Sequence, residues 1–214
     1  MLYMPTSFFS SITNVMTLIM ALDPPPRTIL DVGIGMGKYG LLCREYLTHW
    51  DRPTRRALER IDGIEAYAPN VTALQKNIYD EIFFGDAREI LPTLQNDAYD
   101  LALLMDVIEH FDQRDGEKIL RELQRVARVV LVSTPSFFYE QGKGRDDPFA
   151  VHRSFWSARD LKGAGAFFIL EREATLAVFA REAKRKNFRG RFEILRVKTG
   201  WMPAWVRRLM RREK

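Results

Sequence analysis

The sequence predicts an α/β fold in which a mainly parallel sheet has helices on both faces. Short apolar runs typical of strands alternate with segments of helical periodicity between residues 28 and 133. Such alternation produces parallel strands joined by right-handed crossovers. Several of the runs are almost continuously apolar, as expected of strands that are buried on both faces. The length of 214 residues fits one such domain with modest additions.

The elements follow in chain order. Residues 8–22 form an apolar segment that predicts a helix, and the prolines at 24–26 end it because proline has no amide hydrogen. The alternating pattern then predicts strands at 28–32, 60–65, 81–84, 99–105 and 128–133, with helices at 38–50, 69–79 and 112–127.

The alternation stops after residue 161. Two β-rich runs, 166–171 and 175–181, are separated by few residues. This spacing predicts a hairpin and therefore an antiparallel strand at one edge of the sheet. A short helix is expected at 157–163, with Trp156 in the core. The irregular stretch 136–155 is long enough to predict a lid or a binding loop.

Charge is distributed unevenly along the chain. It has 33 Lys and Arg against 28 Asp and Glu, but residues 181–214 hold 13 of the basic and 3 of the acidic residues. The other 180 residues therefore carry a net charge of −5. Within the basic part, residues 201–214 place apolar side chains on one helical face and four arginines opposite. Such a helix can dock on its own domain, lie on an anionic membrane surface or contact nucleic acid or another polyanion.

Cysteine content and hydropathy exclude some classes of protein. The single cysteine, Cys43, rules out an intrachain disulfide and a cysteine-based zinc site. Segment 8–22 is too short and too polar to span a bilayer, and no basic residue precedes it as in a signal peptide. We therefore expect a cytoplasmic protein, with the basic tail as a possible peripheral membrane contact.

A glycine loop is the strongest signal of a binding site. Residues 29–40 place glycines at 33, 35, 37 and 40, and the helix that follows offers unpaired amide groups and a positive dipole end. Asp31 lies two residues before the first glycine. An anion there suits a cationic amine better than a pyrophosphate, although the glycines alone also fit a nicotinamide dinucleotide.

These motifs resemble those of class I S-adenosylmethionine-dependent methyltransferases over roughly residues 28–181. The resemblance implies a Rossmann-like, seven-stranded methyltransferase sheet of order 3-2-1-4-5-7-6, with strand 7 antiparallel. It also implies S-adenosyl-L-methionine as the cofactor. The cofactor-binding residues that it implies are Asp31, Gly33, Gly35, Gly37, Glu65, Ala66, Asp86, Ala87 and Asp106. The chain would then divide into an N-terminal helical segment (1–26), the cofactor-binding methyltransferase domain (27–181) and a basic extension (182–214).

Two of the implied contacts have specific roles in the family. Glu65 would accept from the ribose hydroxyls, because its two oxygens match two vicinal donors. Asp86 would accept from the adenine amino group, with the Ala87 amide nearby; the alternative for Asp86 is a helix N-cap. Tyr67 is a candidate for the adenosine pocket. A closer resemblance, to small methyltransferases with G-K-Y-G (37–40) and H-R-S-x-W (152–156) elements, sharpens the class and leaves the acceptor open.

The acceptor end is predicted from residues that follow the fourth and fifth strands. Asp106, Glu109 and His110 share one face if their segment turns helically. Candidate catalytic residues are His110 as general base, His152 in the later loop, and Asp106. No metal is expected, but Asp106, Glu109 and His110 resemble the acid-x-x-Glu-His set that holds a divalent cation in some quinone-biosynthesis O-methyltransferases. A purely structural Glu-His pair is the third alternative, and Arg153 is a candidate for orienting an anionic group.

The residues after the fourth strand favour an oxygen acceptor. The family's Asn-Pro-Pro-aromatic motif for nitrogen methylation is absent there, and residues 106–110 occupy its place. We therefore predict methyl transfer from S-adenosylmethionine to a small-molecule, sugar or lipid-linked oxygen. The alternatives are a nucleic-acid methyltransferase that uses the basic tail, a nicotinamide-dependent oxidoreductase and a non-catalytic cofactor-binding module.

Overall fold

The computed structural model describes residues 9–48, 58–141 and 147–180. The strands are β1 (Thr28–Val32), β2 (Arg60–Glu65), β3 (Glu81–Phe84), β4 (Tyr99–Met105), β5 (Ala127–Pro135), β6 (Phe168–Glu171) and β7 (Ala174–Ala180). The helices are α1 (Phe9–Met20), α2 (Lys38–Leu47), α3 (Ala73–Ile78), α4 (Ala87–Ile90), α5 (Gln113–Val126) and α6 (Ala158–Gly163).

The seven strands form one sheet of order β3-β2-β1-β4-β5-β7-β6. Strands β1 to β5 pair in parallel, whereas β7 runs antiparallel to both β5 and β6. This arrangement confirms the predicted fold class and strand order. It also differs from the all-parallel 3-2-1-4-5-6 order of dinucleotide-binding sheets.

Apolar clusters cover both faces of the sheet. On one face, α1 and α2 bury Leu18, Ile19 and Cys43 against β1 and β4. On the other face, α5 buries Ile119, Leu120 and Leu123 together with Trp156. Both faces of the inner strands are therefore covered, and β7 is buried along its whole length.

The register of the parallel strands brings the predicted acids to one edge. Asp31 in β1 lies opposite Gly63 in β2 and Leu103 in β4. The carboxyl ends of β1, β2 and β4 therefore meet at the same edge. Ligands bind at this edge in open α/β sheets, where the strand order reverses.

Some element boundaries differ from the sequence prediction. The helix expected over 69–79 is a short 3₁₀ turn followed by α3, because Thr72 and Gln75 form a capping box that starts the helix later. Helix α4 was not predicted, since its four residues are too short for a periodic signal. The predicted core position of Trp156 is confirmed, and Ser157 caps the helix that follows it.

Several predictions concern residues outside the described ranges. They include the end of the helix expected at 38–50 and the basic extension with its membrane or polyanion contact. These features, and the division of the chain at 26 and 182, stay predictions. Within the described ranges, no helix combines the length and the apolar character needed to cross a bilayer.

Candidate active site

A cavity of about 730 Å³ opens at the carboxyl ends of β1, β2 and β4. Its volume lies within the usual range for sites that take a small molecule. Most of the predicted site residues line it: Asp31, Gly33, Gly35, Glu65, Ala66, Asp86, Ala87, Asp106, Glu109, His110, His152 and Arg153. Gly37 and Tyr67 stand back from this wall; Gly37 lies at the N-cap of α2 and packs towards Ile78.

The glycine loop is shaped by what surrounds it. Gly33 has φ +74°, and a Cβ there would lie 2.4 Å from a methyl carbon of Val107. Both its backbone conformation and its space therefore require glycine. Gly35 has open space where a side chain would be. The loop thus presents bare backbone to the cavity, as close approach by a ligand requires.

Asp31 is a buried acid at the base of the cavity. It is 2% exposed, and burial raises the pKa of its carboxyl to about 6, although a hydrogen bond from Tyr79 acts in the opposite direction. A buried carboxylate without a cation nearby is costly. The position therefore favours a positively charged ligand group, as the sequence predicts.

Glu65 ends β2 and fixes the loop opposite it. Its two carboxylate oxygens accept from the Gly35 amide at 3.0 Å, the Tyr67 amide at 3.0 Å and the Asn70 side chain at 3.3 Å. Burial raises the pKa of Glu65 despite these bonds. A carboxylate has about four lone-pair sites, so Glu65 retains acceptor capacity for a ligand hydroxyl.

Asp86 serves as a helix N-cap and also lines the cavity. Its side chain accepts from the Arg88 amide at 2.8 Å and pairs with the Arg88 guanidinium. These bonds lower its pKa, although burial opposes them. The structure therefore supports the capping alternative, and the adenine contact through Asp86 and Ala87 stays a prediction.

Asp106 follows β4 in a left-handed backbone conformation, with φ +56°. Its amide donates to the Ser133 carbonyl at 2.9 Å, and its Oδ1 accepts from the Ser133 hydroxyl at 2.7 Å. Strained backbone of this kind clusters at functional sites. Among the described residues, no hydrogen-bond donor reaches the other carboxylate oxygen, Oδ2.

Glu109, His110 and His152 meet at one end of the cavity. Each offers one potential ligand atom, and these atoms lie within 4.8 Å of one another. This set differs from the predicted metal set of Asp106, Glu109 and His110. Asp106 is instead hydrogen-bonded to Ser133 on β5. The third member of the set is His152, which lies 42 positions after His110 in the chain.

Backbone contacts bring the late segment to this point. The amides of Arg153 and Ser154 donate to the Glu109 carbonyl at 2.8 and 3.1 Å. The imidazole rings of His110 and His152 then lie 5.0 Å apart, and the Tyr139 ring lies 4.7 Å from His152. Part of the predicted loop therefore forms one wall of the cavity.

The hydrogen bonds of the two imidazoles define their tautomers. Nδ1 of His110 lies 3.1 Å from the Val151 carbonyl, and Nδ1 of His152 lies 2.9 Å from the Tyr139 carbonyl. A carbonyl only accepts, so each Nδ1 carries a hydrogen, and Nε2 of a neutral ring carries a lone pair. Burial lowers the pKa of His110, which keeps its ring neutral near pH 7.

Glu109 is 3% exposed, and burial raises its pKa well above the usual value. Within the described part of the chain, its Oε2 has no hydrogen-bond partner. A buried, unsatisfied carboxyl oxygen beside two imidazoles is costly unless a ligand, a proton or a cation reaches it. At this end of the cavity, the Glu109 carboxyl group can therefore still bind a ligand, a proton or a cation.

Sequence reasoning missed two residues near Asp31. Lys38 lines the cavity, and burial lowers the pKa of its ammonium group. Tyr79 lies behind Asp31 and hydrogen-bonds it. Lys38 stands inside the glycine motif and was detectable there. Tyr79 has no signal in the linear pattern, because it is an aromatic residue just before a strand, where aromatic residues are common.

Comparisons with known proteins agree with this geometry. The family model described as "Methyltransferase domain" matches residues 30–129. A bifunctional methionine biosynthesis protein MetXA/MetW of Rhodopirellula baltica is 26% identical over 149 residues, which are 70% of this chain and 22% of that protein. The chain thus matches only about a fifth of that relative's length.

Solved structures share the fold. The PH0226 protein from Pyrococcus horikoshii OT3 is similar with a TM-score of 0.57 and 14% identity, over 81% of this chain and 90% of that chain. The N-terminal domain of EvdMO1, crystallised in the presence of SAH (S-adenosylhomocysteine) and D-fucose, is similar with a TM-score of 0.54 and 17% identity. That match covers 82% of this chain and 85% of the domain.

The sheet order, the glycine loop and the matched domain together define a Rossmann-like methyltransferase domain. Residues 30–129 are accordingly matched by a methyltransferase domain, and the fold around them is shared with the solved structures named above.

Proposed function

We propose that the protein transfers the methyl group of S-adenosylmethionine to a hydroxyl oxygen of a small-molecule, sugar or lipid-linked acceptor. The observation that supports this proposal is the shared cavity. Two imidazoles, of which His110 is kept neutral by burial, and a buried carboxyl group line the same cavity as the acids at the ends of β1 and β2. One cavity thus offers a place for a cationic cofactor and a group that can take a proton from the acceptor.

We assign the cofactor to the β1–β2 side of the cavity. Asp31 would pair with the ammonium group of the cofactor's methionine part. Glu65 would accept from the ribose hydroxyls, and Asp86 with the Ala87 amide would contact the adenine. Burial of Asp31 and Glu65 supports this assignment, since a cation nearby offsets the cost of a desolvated carboxylate.

The protein itself has to form no covalent bond in this reaction. The sulfonium methyl group is already electrophilic, so alignment and proton removal are the remaining tasks. The acceptor oxygen forms a bond to the methyl carbon while the carbon–sulfur bond breaks and leaves a neutral thioether. His110 Nε2 takes the acceptor's proton, since its Nδ1 hydrogen is engaged by the Val151 carbonyl.

A divalent cation is the second candidate at this end of the cavity. Glu109, His110 and His152 provide one oxygen and two nitrogen atoms within 4.8 Å of one another, and two imidazoles with a carboxylate are a common donor set for divalent metals. The unsatisfied Glu109 Oε2 also favours this arrangement. A bound cation would lower the pKa of an acceptor hydroxyl in place of a base.

Release of S-adenosylhomocysteine from a panel of acceptors tests the proposal. The panel contains phenols, free sugars, polyprenyl-linked sugars, amines, RNA and DNA, and each reaction is run with and without a chelator. We expect release with at least one hydroxyl acceptor. Release only with amines would contradict the oxygen assignment, and release only with nucleic acid would contradict the small-molecule, sugar or lipid-linked acceptor. Loss of activity with the chelator, restored by one divalent metal, would select the cation over the base.

A further inference from the structure

Tyr79 contacts the proposed cofactor site through a hydrogen bond to Asp31. It follows α3, is 5% exposed, and does not belong to the cavity lining. Its hydroxyl donates to Asp31 Oδ2 at 2.6 Å. Asp31 itself lines the cavity. The tyrosine thus contacts the rear of a carboxyl group whose other side faces the site.

The glycines next to this tyrosine leave room for its ring. A Cβ at Gly40 would lie 2.5 Å from both Cζ and the hydroxyl oxygen of Tyr79. At Gly63 in β2, a Cβ would lie 3.3 Å from the same ring. Any side chain at position 40 would therefore push the ring away from Asp31. Gly40, the last glycine of the motif, therefore leaves space for the ring of Tyr79 behind the cavity.

The direction of the hydroxyl hydrogen is fixed. The Gly40 amide, in the first turn of α2, hydrogen-bonds to the Tyr79 oxygen. Amides in the first turn of a helix have no acceptor within that helix. Because the oxygen accepts from Gly40, its own hydrogen points to Asp31. The bond therefore favours the ionised form of that carboxyl group.

Other ionisable groups also act on Asp31. Glu65 on β2 disfavours its negative charge, whereas Lys38 on α2 favours it. Cys43, also on α2, interacts electrostatically with Asp31. Burial is the largest influence and opposes ionisation. Tyr79 and Lys38 are the two groups that counteract it.

We propose that Tyr79 is a positioning residue for the cofactor, and that its hydroxyl keeps the Asp31 carboxylate charged and oriented for the ammonium group of S-adenosylmethionine. The inference rests on the proposed function of Asp31 as a cofactor ligand. The inference adds Tyr79, which lies outside the glycine motif of residues 29–40, to the residues required for cofactor binding.

The test measures the Kd of S-adenosylmethionine by calorimetry from pH 5.5 to 8 for the wild type and for Tyr79→Phe. Without the hydroxyl, the pKa of Asp31 rises further, so a larger fraction is protonated at each pH. We expect about a tenfold weaker Kd near pH 6.5, with the ratio of the two Kd values narrowing as the pH rises towards 8. Titration of the ligand itself cancels in this ratio.

Tyr99→Phe is the matched control. The Tyr99 hydroxyl donates to buried Asp62 at 2.7 Å in the same sheet, and neither residue lines the cavity. We expect its Kd to equal that of the wild type at every pH. Gly40→Ala displaces the Tyr79 ring without removing the hydroxyl, and we expect it to reproduce the pH-dependent weakening.

The outcomes separate the two proposals. If Asp31→Asn binds S-adenosylmethionine as the wild type does, the assignment of Asp31 fails. If Asp31→Asn weakens binding but Tyr79→Phe does not, the role of Tyr79 fails and the proposed function stands. A Kd ratio for Tyr79→Phe that is the same at every pH would also overturn its role, because a packing defect does not titrate with Asp31.

Discussion

The end of the cavity that we assign to the cofactor (the cofactor end) and the end that we assign to the acceptor (the acceptor end) are built in different ways. At the cofactor end, contiguous stretches around residues 31–40 and 60–66 place backbone amides and two acids at neighbouring strand ends. At the acceptor end, His110 and His152 are 42 positions apart in the chain and meet because two backbone amides bond the Glu109 carbonyl. The first end is a local motif, whereas the second is a tertiary assembly.

This difference indicates which end of the cavity can change its ligand specificity more easily. Residues of the cofactor end are constrained by the loop backbone and by one another, as the hydrogen bond from the Gly35 amide to Glu65 shows. The acceptor end depends on the segment between β5 and α6, whose described residues, 136–141 and 147–157, contain no helix or strand. Such segments tolerate change better than the sheet that supports them.

The largest expected effect is a loss of kcat at the acceptor end without a change in cofactor binding. His110→Ala removes the proposed base, so kcat should fall by roughly 10²–10⁴-fold, while the Kd of S-adenosylmethionine stays unchanged. Steady-state release of S-adenosylhomocysteine and calorimetry on the same preparation measure both quantities. Lys118→Ala, on the exposed side of α5, is the control and should match the wild type in both. A parallel loss of cofactor affinity in His110→Ala would contradict the separation of the two ends.

The next effect is confined to the cofactor end. Asp31→Asn keeps the size of the side chain and removes the charge, so S-adenosylmethionine should bind about 100-fold more weakly. Calorimetry at pH 7 measures this loss. Any remaining turnover at saturating cofactor should have a nearly normal kcat. A strong decrease in kcat would show that Asp31 also acts in the chemical step.

The same variant should gain stability without cofactor. The folded protein raises the pKa of Asp31 from 3.8 to about 6. The contribution of Asp31 to stability is therefore complete below pH 4 and is lost as the pH rises to 6. Above pH 6 this loss amounts to up to about 3 kcal/mol. The advantage of Asp31→Asn in denaturant unfolding should grow between pH 4 and pH 6 and then level off.

The smallest effect concerns the support of the acceptor end. A Cβ at Gly116 in α5 would lie 2.3 Å from the indole of Trp156, which is 1% exposed. Gly116→Ala should therefore destabilise the protein by about 1–3 kcal/mol, although alanine normally favours a helix. We also expect a higher acceptor KM, because Trp156 lies two residues after the Ser154 amide that bonds Glu109.

Gly163→Ala is the matched control for this prediction. No atom lies within 4 Å of a Cβ built at Gly163, the last residue of α6. Its unfolding midpoint should equal or exceed that of the wild type. Equal stability of the two variants would show that the indole can shift at little cost.

Prediction from the sequence succeeded where a local pattern determines the structure. Strands β1, β2, β3 and β4 were predicted with their observed bounds, because each is a short β-rich run between turns or helical segments. The sheet order came from the resemblance to a family. The predicted set of Asp106, Glu109 and His110 shows the limit, since no spacing along the chain indicates that Asp106 bonds Ser133 or that His152 arrives instead.

The left-handed backbone at Asp106 also has an evolutionary consequence. With φ +56°, most L-residues at this position would cost about 1–2 kcal/mol, and only glycine, asparagine and aspartate adopt it readily. The backbone conformation therefore limits which residues position 106 tolerates, whatever the chemical role of the side chain. Descendants of this sequence should exchange Asp106 for asparagine or glycine sooner than for the chemically closer glutamate.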